Sequence, residues 1–156
     1  MSIECESNIC TNQLKSKNNM EELIKKLEEH QGISIRKFKG YDWQFVSEYI
    51  ELPEEFIRKY KKKLDWSRIS RCQKLSEDFI KEVANYIDWF WISQYQILSE
   101  EFIREHQNEL NWIFISHYQI LSEDFIIEFK DKVCWACILE YQTLSDEFIK
   151  KYKKLI

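Results

Sequence analysis

LSEDFIKEVANYIDWFWISQYQI, Leu75 to Ile97, is followed without a break by LSEEFIREHQNELNWIFISHYQI, Leu98 to Ile120. The opening hexamer returns as LPEEFI at Leu52, LSEDFI at Leu121 and LSDEFI at Leu144, each 23 residues from its neighbour. A second mark keeps the same step: Asp65-Trp66, Asp88-Trp89, Asn111-Trp112 and Cys134-Trp135, with Asp42-Trp43 in register upstream. Self-similarity at a fixed period of this length is the signature of repeat architectures. In these, each repeat buries its apolar face against the next rather than around one central core.

Within a repeat the residue types predict two short helices. Ser76, Ser99, Ser122 and Ser145 stand where a side-chain oxygen caps a helix start. The two acids that follow, such as Glu77-Asp78, suit the positive end of the helix dipole. Pro53 replaces the serine in the first copy, where proline is tolerated but predicts a start shifted by one residue. Phe79, Ile80, Val83 and Ile87 then form one helical stripe. Asp42, Asp65, Asp88 and Asn111 predict caps for the second helix, with Trp, Ile and Tyr following at helical spacing (Trp89, Ile92, Tyr95). Helices this short are marginal alone and must be held by stacking. The expected fold is therefore all-α, an α-solenoid of stacked 23-residue helix-turn-helix repeats. The periodic tryptophans Trp43, Trp66, Trp89, Trp112 and Trp135 are expected in the packing, and Trp91 is off the period.

Outward from the repeats, the expected organisation is a polar N-terminal arm over 1–20, a capping helix and linker over 21–40, and the array over 41–156. The array divides into a half repeat 41–51, full repeats 52–74, 75–97, 98–120 and 121–143, and a half repeat 144–156. In the capping helix, Leu23, Ile24 and Leu27 are expected to face inward. Lys150, Lys151, Lys153 and Lys154 would give the other end a polar face. Leu155 and Ile156, in the same segment, leave end-to-end association open.

Composition narrows the class. With 44% hydrophobic residues and a net charge of -4, the 156-residue chain is far from a disordered composition. Two glycines and one proline are too few for a hairpin-rich β fold. No run of about eighteen apolar residues occurs, so no membrane span is expected. The first thirty residues lack the apolar stretch of a signal peptide. Cys5, Cys10, Cys72, Cys134 and Cys137 are accordingly expected as reduced thiols in an intracellular setting.

The pattern LSE(E/D)FI, then (D/N)W, IS and YQ, over residues 41–156, resembles short repeats in proteins of amoeba-infecting giant DNA viruses and their associated mobile elements. The resemblance implies a viral repeat protein made inside the host cell, in its cytoplasm or associated with the virion, and brings no mechanism. Cys134 departs from the Asp or Asn expected before the tryptophan.

Function is sought at positions that vary between repeats, because the constant positions build the scaffold. On the second helix these are Phe90, Trp91 and Gln94 in one repeat, and Ile113, Phe114 and His117 in the next. Exposed contiguous aromatics would mark a protein-binding patch; the alternative is that they fill gaps between neighbouring helices. The expected function is non-enzymatic protein–protein interaction with a host or viral protein, the alternative being a structural, self-assembling protein or homo-oligomer. A second candidate is a basic block: residues 52–74 carry eight Lys/Arg against three Asp/Glu, including Lys61, Lys62, Lys63, Arg68, Arg71 and Lys74. It reads either as a dock for an acidic partner or as a solvated face. Each of the next three repeats sums to -3, which disfavours nucleic acid as the main ligand.

Catalytic and cofactor chemistry finds little footing. Cys134-Trp-Ala-Cys137 is a CxxC and carries a thiol-redox reading, but without the βαβ setting of a thioredoxin-like site. Zinc would need two further ligands, which Cys5 and Cys10 could add only if the N-terminal arm folded back across the array. His30, His106 and His117 are separated in register, and the acidic pairs recur in every repeat as dipole-complementing residues. No cofactor, metal or catalytic residue is expected.

Overall fold

A computed structural model of the chain describes residues 20–152. Among them there is helix and turn and no strand, with paired helices of similar length at regular spacing. The fold is the all-helical repeat solenoid that the period predicts. The chain divides into two compact parts, Met1–Asp65 and Trp66–Ile156, and each is described by itself.

In the first part, α1 runs over 20–31 and ends at Gly32, whose φ of +67° is the left-handed conformation that terminates helices and favours glycine. Leu27 is buried, while Leu23 and Ile24 are half-buried. The Glu28 carboxylate accepts from the Ser34 hydroxyl at 2.9 Å and the Ile35 N–H at 2.8 Å, which fixes the 3-10 turn Ile35–Lys37. Helix α2, Gly40–Tyr49, starts earlier than expected. Asp42 is not its cap: it sits in the first turn, and its carboxylate accepts from the Lys39 N–H at 2.7 Å. Helix α3, Glu54–Tyr60, starts directly after Pro53, in register with the serine-capped copies, so proline causes no shift. The Pro53 carbonyl accepts from both Phe56 and Ile57 N–H, at 2.9 and 3.1 Å. Trp43, Val46, Phe56 and Ile57 form the buried centre.

The second part contains α4 (Trp66–Cys72), α5 (Glu77–Glu82), α6 (Trp89–Tyr95), α7 (Glu100–Glu105), α8 (Trp112–Tyr118), α9 (Glu123–Glu128), α10 (Trp135–Tyr141) and α11 (Asp146–Tyr152). The serine caps are present: Ser76, Ser99, Ser122 and Ser145 each accept from the N–H three residues on at 3.2 Å. The first helices are shorter than their apolar stripe. Helix α5 ends at Glu82, Val83 caps it, and Ile87 lies in the turn that follows. Leu110 and Val133, in the register of Ile87, are buried there. Thus the last apolar position packs the turn, not the helix.

Of the periodic tryptophans only Trp43 is fully buried; Trp66, Trp89, Trp112 and Trp135 are half-buried. The indole N–H is a donor that needs a partner. Trp112 and Trp135 donate to the Gln107 and Lys130 carbonyls in the preceding turn, at 2.9 and 3.0 Å. His106 packs among aromatic rings. It stands in the register of Val83 and Phe129, stacked on Trp89 at 5.0 Å and against Phe102 at 4.4 Å.

What joins successive repeats is polar. Ser70, Ser93 and Ser116 are buried, and each hydroxyl accepts from the N–H of the next cap: Asp88 at 3.0 Å, Asn111 at 2.9 Å and Cys134 at 2.9 Å. Gln119 donates its two amide hydrogens to the Ser93 and Gln96 carbonyls (3.2 and 2.8 Å) and accepts from the Leu98 N–H (3.0 Å). Gln96 and Gln142 repeat this clamp in their own repeats. The first acid of each pair does more than complement a dipole. Glu77, Glu100 and Glu123 accept from the backbone N–H of Ser99, Ser122 and Ser145 in the next repeat, at 2.5, 2.6 and 2.6 Å. Among the described residues no buried side-chain nitrogen or oxygen lacks a partner.

Candidate interaction surface

The second helices α4, α6, α8 and α10 pack side by side, each against the next. On each, the constant Ile and Ser turn into the stack: Ile92, Ser93, Ile115 and Ser116 are wholly buried. A helix of this pitch puts the residues one and two after the tryptophan on other faces. In α6 and α8 those residues are Phe90, Trp91, Ile113 and Phe114.

Phe90 is 45% exposed and Ile113 59% exposed, so these two are not core. Trp91, Gln94, Phe114 and His117 are half-buried. The Phe90 ring meets Trp91 edge-on at 4.9 Å and Phe114 edge-on at 4.7 Å, the geometry that the ring quadrupole favours. Trp91 is anchored from the opposite side: its indole N–H donates to the Ser67 hydroxyl at 3.0 Å, and the Arg71 guanidinium lies over the ring at 5.7 Å. Gln94 donates to the Tyr118 hydroxyl at 3.3 Å. His117 is stacked on Tyr141 at 3.7 Å and lies 4.0 Å from the Tyr118 ring. Trp91, Phe114 and His117 thus contact neighbouring second helices, while Phe90 and Ile113 are largely exposed.

Tyr95, Tyr118 and Tyr141 also belong to this surface, each about half exposed. Treating them as scaffold because they recur missed them. The Glu140 carboxylate beside Tyr141 holds that phenol above its ordinary range.

The first helices present a different face. Lys81 pairs with Glu105, and Arg104 Nε donates to both carboxylate oxygens of Glu128, at 3.1 and 2.9 Å. These hydrogen-bonded pairs raise the affinity of Lys81 and Arg104 for their protons and lower that of Glu105. Lys81 and Arg104 also lie over Phe102 and Phe125, at 5.6 and 5.0 Å.

The basic block divides between the two parts of the chain. Lys61 is half-buried and Lys62 and Lys63 are exposed in the first, with the Lys63 ammonium over Trp43 at 5.5 Å. In the second, Arg68 and Arg71 are half-buried and Lys74 is exposed. Arg71 is thus committed to Trp91, beside the aromatic surface.

Cys134 and Cys137 come together at the start of α10. Cys134 occupies the cap position, and its sulfur makes no cap hydrogen bond of the kind that Asp88 and Asn111 make. The Cys137 thiol donates to the Cys134 sulfur at 2.8 Å. That hydrogen bond, with the facing amides of Cys137 and Ala136, holds Cys134 below the usual thiol range. Burial, then the Cys134 sulfur and Glu140, push Cys137 up to about 11. Cys5 and Cys10, and with them a four-cysteine zinc site, lie outside the described residues, as does the arm over 1–19. Among the described residues no cluster of three or more His, Cys, Asp or Glu could hold a metal ion.

No protein-family model matches this chain, and no curated protein or solved structure is significantly similar to it.

Proposed function

We propose that this chain is a non-enzymatic interaction module that binds a partner protein through the variable positions of α6 and α8. The observation that carries the reading is the outward placement of Phe90 and Ile113 beside an interlocked set of rings. Trp91 and Phe114 are pinned before any partner arrives, so little side-chain freedom is left to lose on binding. Pre-organised aromatics are favoured interface anchors for that reason. In α6 and α8 the variable positions Phe90, Trp91, Ile113 and Phe114 are aromatic or aliphatic, which suits recognition rather than turnover. By its resemblance to giant-virus repeats, the protein is read as a viral repeat protein acting on a host or viral partner in the infected cell. None of the described helices is long and apolar enough to cross a membrane.

The test is affinity capture from infected amoebal cells with the wild type and a Phe90→Glu, Ile113→Glu variant. Both side chains are open to solvent, so the variant should keep its helical circular dichroism. A partner held by the wild type and lost by the folded variant supports the reading. Identical captures from the two proteins would remove α6 and α8 as the binding face.

Self-assembly is the second reading. Ile97 and Ile120 occupy the same register in adjacent repeats and are each 94% exposed. Recurring apolar exposure at one register gives a second copy something to cover.

A further inference from the structure

We propose that Cys134 and Cys137 form a dithiol–disulfide site, closing to an intramolecular disulfide by exchange with a low-molecular-weight disulfide. The inference is independent of the partner-binding reading, and three observations meet in it.

The first is distance. The sulfurs stand 2.8 Å apart, and a disulfide bond is about 2.05 Å long, so closure moves them together by less than one ångström. The second is the backbone. The Cys134 N–H donates to the buried Ser116 hydroxyl at 2.9 Å, and its carbonyl accepts from the Ile138 N–H at 2.9 Å. Both anchors are independent of the side chain, so the sulfurs can bond without disturbing the junction between repeats. The third is register. The place of Cys134 is held by Asp65, Asp88 and Asn111 in the other repeats, and that of Cys137 by Arg68, Trp91 and Phe114. One repeat thus gives up its capping oxygen and gains a second thiol three residues on. Either change alone would be a simple substitution; together they place two sulfurs in contact. Both are half-buried and within reach of a small reagent.

The environment divides the roles. Cys134, the more acidic thiol, is the attacking group. Its thiolate displaces one thiolate from the small disulfide RSSR and becomes the mixed disulfide Cys134–S–SR. Cys137 then loses its proton, attacks the Cys134 sulfur and expels the second RS⁻. Two electrons pass from the protein dithiol to RSSR, and with the two protons the products are the protein disulfide and 2 RSH. A thiol dithiol reductant reverses the sequence.

The test treats the reduced full-length chain with oxidised glutathione, blocks remaining thiols and maps the peptides by mass spectrometry. The expected result is a 134–137 peptide that is unblocked and lighter by two hydrogens, restored by dithiothreitol. Cys72, exposed and without a second cysteine in its repeat, is the internal control and at most carries glutathione. In Cys137→Ser the adduct should persist on Cys134. In Cys134→Ser closure should vanish, and Cys137 should carry at most a glutathione adduct. Glutathione adducts that persist on wild-type Cys134 or Cys137, or two free thiols there after Cys72 has reacted, would overturn the proposal. Because the wild-type map alone gives that answer, a variant that fails to fold does not leave it undecided.

Discussion

A glutamine side chain offers two donor hydrogens and one carbonyl acceptor, and Gln119 has all three in use in a buried position between repeats. Removing it leaves the Ser93 and Gln96 carbonyls and the Leu98 N–H without their partner, and an unmade buried hydrogen bond costs about 1–3 kcal/mol. Gln119→Leu should therefore destabilise the fold by at least about 2 kcal/mol, read as a lower denaturant midpoint. Ile120→Lys, one residue on and fully in solvent, should stay within about 0.5 kcal/mol of the wild type. Equal effects from the two would mean that the glutamine clamp is dispensable. The same logic explains why the serine of each IS pair is buried: a hydroxyl can accept from the next repeat while donating within its own helix. Ser93 and Ser116 do so, donating to the Trp89 and Trp112 carbonyls at 2.7 Å.

Helices of six or seven residues contain few internal hydrogen bonds, so the ends decide whether they form. Asp88 accepts from the Phe90 N–H, and Asn111 accepts from both Ile113 and Phe114 N–H. Cys134 has no such bond, which leaves α10 the least well capped of these three second helices. Cys134→Asp should return the missing acceptor and raise stability by about 0.5–2 kcal/mol, seen as a higher Tm under reducing conditions. An unchanged or lower Tm would show that the Cys134–Cys137 contact already offsets the lost cap. Helix α2 shows how local context overrides the pattern: with Lys39 N–H available to its carboxylate, Asp42 enters the first turn instead of preceding it.

At the scale of the second part, the repeats 75–97 and 98–120 are each bonded to the next through a serine, a glutamine and a glutamate, so stability is carried from neighbour to neighbour. Ile97 and Ile120 take no part in those joints. If they mediate self-association, sedimentation should give a mass that rises with concentration, and Ile97→Lys with Ile120→Lys should return it to one chain. Lys74 holds that register in the preceding repeat, so lysine is compatible with the turn. A wild type that stays at the mass of one chain at every concentration would sink the second reading. The fold class was legible before any coordinates, because a 23-residue period with serine caps admits few architectures and its signal is repeated five times. The identity of the variable positions was legible for the same reason. Exposure was not. Whether Phe90 points outward while Phe114 bridges to the next helix depends on how neighbouring helices are rotated, and a single helical stripe does not encode that rotation. Nor did polarity reveal that Ser93, Gln96, Ser116 and Gln119 are buried, since a polar residue is buried only when another repeat supplies its partner. The meeting of Cys134 with Cys137 was half legible: the spacing was plain, but only the fold could show that a cap position turns both sulfurs toward each other. Sequence determined the repeat and the residues that vary within it. Tertiary structure decided which of them face solvent, because that choice is made by contacts between repeats.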